Sequence, residues 1–184
     1  MRKIDYLSMS LPYVVFINFD KYEEITDKMI GMELGSDDKW YCHYEEFGEV
    51  EIDLIKPILR PLSDLTKEID HKGEKFVPIV QLAKIAGFEV ELFGFTIETS
   101  HYSFREHGFR YGVLLKGGAV KNGSYDFVYD HEISAFYNTY PTCKQIHNQL
   151  PLFQKLIELH FDIAGLIEKG EAIDVNTLEI NPYK

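Results

Sequence analysis

The sequence has two cysteines, Cys42 and Cys143, and one tryptophan, Trp40. Two cysteines cannot make a disulfide framework or a four-cysteine zinc site. No apolar run approaches the length of a membrane span. The first residues, Met1 to Tyr6, hold no apolar stretch of the signal-peptide kind. These absences lead to the expectation of a reduced, cytoplasmic protein that needs no cofactor and meets no membrane. The motifs of common catalysis are missing as well. There is no G-x-S-x-G, no P-loop, no G-x-G-x-x-G and no H-E-x-x-H. Gly117-Gly118 lacks the Lys-Ser/Thr that would follow in a phosphate loop, and reads as a turn.

Positive charge is also scarce. Nineteen Lys and Arg face thirty Asp and Glu, for a formal charge of −11 over 184 residues. Direct binding to DNA is therefore not expected. The excess is local. Residues 20–53 hold twelve acidic and three basic side chains, a net of −9, while the rest of the chain is nearly balanced.

With 45% hydrophobic and 27% charged residues, the chain has an ordinary globular composition. Pro12–Phe19 is a β-branched and aromatic run with strand character. Trp40, Cys42 and Tyr44 alternate with Tyr41 and His43. In Glu49–Leu54 a strict period of two would turn Val50, Ile52 and Leu54 to a core, and Glu49, Glu51 and Asp53 to water. Turn signals at Gly35-Ser36-Asp37-Asp38 and at Gly48 separate these runs. Such spacing predicts a small, curled antiparallel sheet or barrel.

Pro57 and Pro61 interrupt the strand pattern, and Ser63 starts a short helix through about Ile69. His71-Lys72-Gly73 is a turn, and a second short helix runs from Pro78 to a stop at Gly87. Strands follow at Phe88–Leu92, at Phe109–Leu115, around Tyr125–Tyr129 and at Ile133–Tyr137, with Asn122-Gly123 as a hairpin signal and Thr99–Gly108 as a loop. Phe153, Leu156, Ile157, His160, Ile163, Ala164 and Ile167 recur at helical steps. They predict a long C-terminal amphipathic helix from Asn148 to Gly170. The expected class is α+β. Residues 1–60 form an acidic antiparallel β region, 61–87 a helical connector, and 88–184 a β-meander closed by the long helix. The first and last regions either share one core or stand apart, and oligomeric state has no signature here.

Three surfaces are candidates for function. The first is acidic: Asp37, Asp38, Glu45, Glu46, Glu49, Glu51 and Asp53 would give one negative face suited to a basic partner. The competing reading is a solvated face that only keeps the protein in solution. The second is basic: Arg105, Arg110, Lys116 and Lys121 around the middle sheet would meet the phosphates of a nucleotide signal. The third is a metal site for hydrolysis from His101, His107 and His131, against which stands their undistinctive spacing. Cys42-His43 is a nominal nucleophile pair, but strand neighbours point to opposite faces. His160, on the apolar stripe, reads as a core-edge histidine.

Two phrases carry a resemblance. Lys56-Pro57-Ile58-Leu59-Arg60-Pro61-Leu62-Ser63-Asp64-Leu65-Thr66-Lys67-Glu68-Ile69, continued by Gly73–Pro78, resembles a phrase of uncharacterised small proteins of Bacteroidetes phages and prophages. Leu156–Gly170, with Phe161-Asp162 and Gly165-Leu166-Ile167-Glu168-Lys169-Gly170, then Ala172–Leu178, is similar to their closing phrase. Tyr6-Leu7 and Leu11-Pro12-Tyr13 match more weakly. The resemblance implies a phage origin and a small SH3-like barrel before the connector, and brings no catalytic residues with it. Together with the acidic segment, it leads to the expectation of a non-enzymatic accessory protein that binds a host protein, such as an effector of host defence.

Overall fold

The computed structural model describes residues 1–11, 15–19, 22–46, 48–88, 95–101, 109–115, 125–130, 134–138 and 144–184. In chain order its elements are helix α1 (Lys3–Ser10) and strands β1 (Val15–Phe19), β2 (Tyr22–Leu34), β3 (Trp40–Tyr44), β4 (Gly48–Glu51) and β5 (Ile55–Leu59). Next come β6 (Ile69–His71), β7 (Glu74–Phe76), α2 (Pro78–Ile85), β8 (Phe95–His101), β9 (Phe109–Leu115), β10 (Tyr125–Asp130), β11 (Ala135–Asn138), β12 (Lys144–Gln145), α3 (Leu150–Glu158) and β13 (Ile173–Asp174). The class is α+β. The chain divides into two compact units, one of Met1–Leu62 with Leu156–Tyr183, the other of Ser63–Lys155 with Lys184.

The first unit is built on a six-stranded sheet in the order β13-β5-β1-β2-β3-β4. Among the described strands of this sheet, only β13 runs parallel to its neighbour, with Ile173 opposite Ile58 and Asp174 opposite Leu59. Among the described residues the sheet is open, with β13 and β4 as edges, so the expected SH3-like barrel is not formed. A barrel needs its end strands to pair, and here β4 passes directly into a 3₁₀ turn at Ile52–Leu54. That turn also breaks the expected alternation, leaving Ile52 buried and Leu54 51% exposed. Leu7 of α1, Met29, Cys42, Tyr44, Ile52 and Ile55 form the core of this sheet. Helix α1 starts at a one-sided cap, in which Asp5 accepts both the Arg2 backbone N–H (3.0 Å) and the Arg2 guanidinium (2.9 Å). Pro57 does not end β5. The β13 ladder begins only at Ile58, so the donor that proline lacks is not missed there.

The long C-terminal helix is not formed either. Helix α3 stops at Glu158. His160 takes a left-handed conformation (φ +63°). Its N–H donates to Ile157 O (2.9 Å), and the Phe161 N–H donates to Leu156 O (2.9 Å). This is a Schellman stop with histidine where glycine usually stands. The chain then turns extended, and Phe161 pairs with Arg60 in a parallel bridge. The Arg60 N–H donates to His160 O (2.7 Å), and the Asp162 N–H donates to Arg60 O (2.9 Å). The buried Asp162 carboxylate next accepts the Leu166 and Ile167 N–H groups, each at 2.8 Å. Gly165 (φ +66°) completes the turn. Phe161, Ile163, Ala164 and Leu166 are all buried. A segment buried on every side carries apolar residues at helical steps without being a helix. Beyond it Tyr183 donates its phenol to Ile58 O (2.6 Å) and packs with Ile58 and Val175.

The second unit holds a five-stranded antiparallel sheet in the order β12-β11-β10-β9-β8. Strand β8 covers Thr99–His101, where a loop is expected from the sequence. The polar residues there lack a period, yet pair along β9 from Phe95–Leu115 to His101–Phe109. The expected helix at Ser63–Ile69 is a 3₁₀ turn (Leu62–Thr66), after which Ile69 enters a hairpin with β7. Its tip, Lys72-Gly73, has positive φ at both residues, the requirement of a tight I′-type turn. Helix α2 has Pro78 in its first turn and Gly87 (φ +90°) as its stop. Phe127, Tyr129, Phe136 and Phe153 stack among themselves at centroid distances of 4.8 to 6.3 Å. Of the strand expected at Phe88–Leu92, residues 89–92 lie outside the described residues, as do Asn122-Gly123 and Cys143.

Asp162 holds two backbone donors with one buried charge. Replacing it by alanine should lower the stability to urea by about 3 kcal/mol, whereas Asp162→Asn, which keeps one acceptor, should lose less. Equal midpoints for wild type and Asp162→Ala would show that the turn does not depend on this carboxylate.

Candidate functional site

Strands β2, β3 and β4 form the acidic end of the first sheet. Side chains alternate across it, and β3 makes the separation clear. Cys42 and Tyr44 are buried on the core side, while Tyr41 and His43 lie on the other. Cross-strand pairing places Glu33 and Glu51 on either side of Tyr41, and Gly31 and Glu49 on either side of His43. The two outer strands thus supply carboxylates and the middle strand supplies a phenol and an imidazole. This spacing keeps like charges from standing directly opposite one another.

Each row has its own tie. Lys39 pairs with Glu51 at 2.9 Å, and this hydrogen bond raises the lysine pKa. The Tyr41 phenol donates to Asp37 Oδ2 (2.9 Å), which holds the Asp37 carboxyl below its usual range and pushes the phenol up. His43 Nε2 lies 3.5 Å from Glu33 Oε2. Lys28 reaches Glu45 at 3.5 Å.

The seven acidic residues singled out from the sequence are placed as follows. Glu49 and Glu51 share the outer face of β4. Asp37 and Asp38 sit in the turn between β2 and β3, closed by the Gly35 N–H donating to Lys39 O (2.8 Å). Glu45 and Glu46 sit at the opposite end of β3, in the turn to β4. The buried Asp27 of β2 anchors that turn, accepting the Glu46 N–H on Oδ2 (3.1 Å). Asp53 is exposed in the 3₁₀ turn after β4. With Asp38, Trp40 and Glu171 it lines a pocket of about 530 Å³ beside the first turn of α1. Trp40 shares a strand face with Cys42 and Tyr44 but is 39% exposed, since it lies at the hairpin tip, outside the core cluster.

Two residues of this face escaped the sequence reading. Glu33 has no local partner in the sequence to mark it, and His43 stands beside a cysteine that points to the opposite face. Their proximity depends on the pairing of β2 with β3, which no short spacing reveals. Cys42 and His43 indeed lie on opposite faces. Burial pushes the Cys42 thiol up to about 11, so it stays protonated near neutrality. His160 is buried and stacked on the Tyr183 ring at 3.9 Å, within the segment that closes on β5. The Asp162 carboxylate beside it in sequence is turned to backbone donors.

The other two candidate sets rest mostly on undescribed parts. Arg105, Lys116, Lys121, His107 and His131 lie outside the described residues. For Arg110, opposite Ser100 and Asp130, and for His101, opposite Phe109, only the backbone is described. Comparison with family models, with curated proteins and with solved structures finds no match.

The protonated, buried Cys42 gives a chemical test. In a Cys143→Ser variant, Cys42 should react with a thiol reagent near neutral pH at least about a hundredfold more slowly than an ordinary thiol, following its thiolate fraction. It should react at the ordinary rate once urea unfolds the chain. Fast reaction in the folded protein would place the thiol outside the core.

Proposed function

We propose that the protein is a non-enzymatic, phage-encoded accessory protein that binds a host protein through its acidic β face. The observation that carries this reading is the arrangement of Glu33, Glu49 and Glu51 on one face of three paired strands, with Asp37 and Asp38 at one end and Glu45 and Glu46 at the other. A negative surface on a rigid sheet attracts a basic partner over distance and fixes its orientation. The exposed Leu34 (54%) and Trp40 (39%) pair with each other on the opposite face, the one that carries Cys42 and Tyr44, so the reading rests on the charges. The acids exceed their local counterions. Lys28 and Lys39 each meet one carboxylate, while Glu49 and Asp53 make no ion pair among the described residues.

The phage origin rests on the two phrases of the sequence resemblance. They contribute the stop of α3, the Asp162 turn and the bridge to Arg60, all of them parts of the scaffold. A host-defence effector with a basic groove is the class of partner this charge would suit.

The test compares wild type with the triple variant Glu49→Lys, Glu51→Lys, Asp53→Lys as bait in lysate of a Bacteroidetes host. A partner captured in stoichiometric amount should be lost with the variant, and its affinity for wild type should fall steeply as salt is raised. A partner that the reversed variant retains at full affinity would overturn the acidic-face reading.

A further inference from the structure

The geometry points to a divalent metal site of the zinc class on the outer face of β2–β4, formed by His43 Nε2 and one carboxylate oxygen each from Glu33 and Glu49. The ligand atoms of these three residues lie within 4.8 Å of one another. A tetrahedral ion held at about 2.1 Å from each ligand sets its donors about 3.4 Å apart. A small rotation of the two glutamates closes that difference, and their side chains are exposed and able to make it.

Two features separate this trio from an ordinary acidic patch. The first is its donor chemistry. An imidazole nitrogen with two carboxylates suits zinc and its neighbours in the transition series, whereas magnesium and calcium prefer oxygen alone. The second is the way the backbone presents the imidazole. Gly31 faces His43 across the strand pair, and a Cβ there would stand 3.6 Å from His43 Cδ2. The ring lies over β2, at ordinary van der Waals distance from that position, and its Nε2 stands 3.5 Å from Glu33 Oε2. Glu49 approaches from the other side, as the direct cross-strand partner of His43 on β4. The three ligands therefore come from three adjacent strands, whose pairing fixes their Cα positions before any ion arrives. The remaining coordination positions open toward solvent, since His43 is a third exposed and Glu33 more than half.

This inference stands apart from partner binding, because it requires only this chain and an ion. The set is also distinct from His101, His107 and His131, none of which lies on these strands.

The experiment is calorimetric titration of chelator-treated full-length protein with zinc chloride, in parallel for wild type, His43→Ala, Glu33→Gln and Glu49→Gln. Wild type should bind zinc at a saturable site on each chain. His43→Ala should weaken that site by at least about tenfold, and each glutamine variant should weaken it too. Magnesium chloride should give no binding at this site. A second reading uses wild type alone: zinc should shift the His43 imidazole nitrogen signals in NMR, so a variant that fails to fold does not decide the matter. Absence of saturable zinc binding, binding unchanged by His43→Ala, or His43 signals indifferent to zinc would each overturn the site.

Discussion

The bridge between Arg60 and Phe161 holds the first unit together from two distant parts of the chain. Its backbone bonds run from Arg60 to His160 and from Asp162 to Arg60. Around it, β13 lies parallel to β5, and the Tyr183 phenol closes on Ile58 O across 125 residues of sequence. Without this seam β5 would be an exposed edge, with Ile58 and Leu59, now fully buried, turned to water. Each buried backbone group along the seam also needs its partner, since an orphaned one costs about 1–3 kcal/mol. The cost of closing so long a loop grows only with the logarithm of its length, so the seam can be remote in sequence and still favourable.

The same seam gives two stretches of the sequence their physical roles. Lys56–Ile69 supplies one side of it and Leu156–Leu178 the other. Phe161, Asp162, Gly165 and Gly170 are needed for backbone reasons: a buried ring, a carboxylate for two N–H groups, and two positive-φ turns. All of these are scaffold roles. The acidic strands lie at the other end of the sheet, and their pairing is local, with β2, β3 and β4 consecutive in the chain. A stable frame built by distant segments thus leaves a short-range hairpin region free to carry charge. Its like charges are tolerated because they are exposed, spaced by Tyr41 and His43, and partly met by Lys28 and Lys39.

Alternation in Trp40–Tyr44, the turn at Gly35–Asp38, the start at Pro78 and the stop at Gly87 were legible because each rests on a local rule. The strand sets at Phe109–Leu115 and around Tyr125–Tyr129 were legible for the same reason. The α+β class followed from them. What escaped depends on partners far away. The apolar steps after Glu158 looked helical because burial on all sides imitates a helical stripe. The stop itself was hidden, since His160 takes a conformation usually left to glycine. Leu54 left the core through a 3₁₀ turn, and β8 ran on into polar residues with no period, held by its neighbour β9. At the candidate site, Glu49 and Glu51 were readable from alternation. Glu33 was not, because its approach to His43 is a matter of register between two strands.

The seam's central role is most directly tested by native-state hydrogen exchange at the Arg60 and Asp162 amides of the wild-type protein. If the first unit depends on it, both amides exchange only through the opening that also exposes the β2–β3 ladder, with the same free energy and the same urea dependence. If Arg60 and Asp162 instead exchange through a cheaper opening while β2 and β3 stay protected, the C-terminal segment is an ornament on an independent sheet, and the account fails.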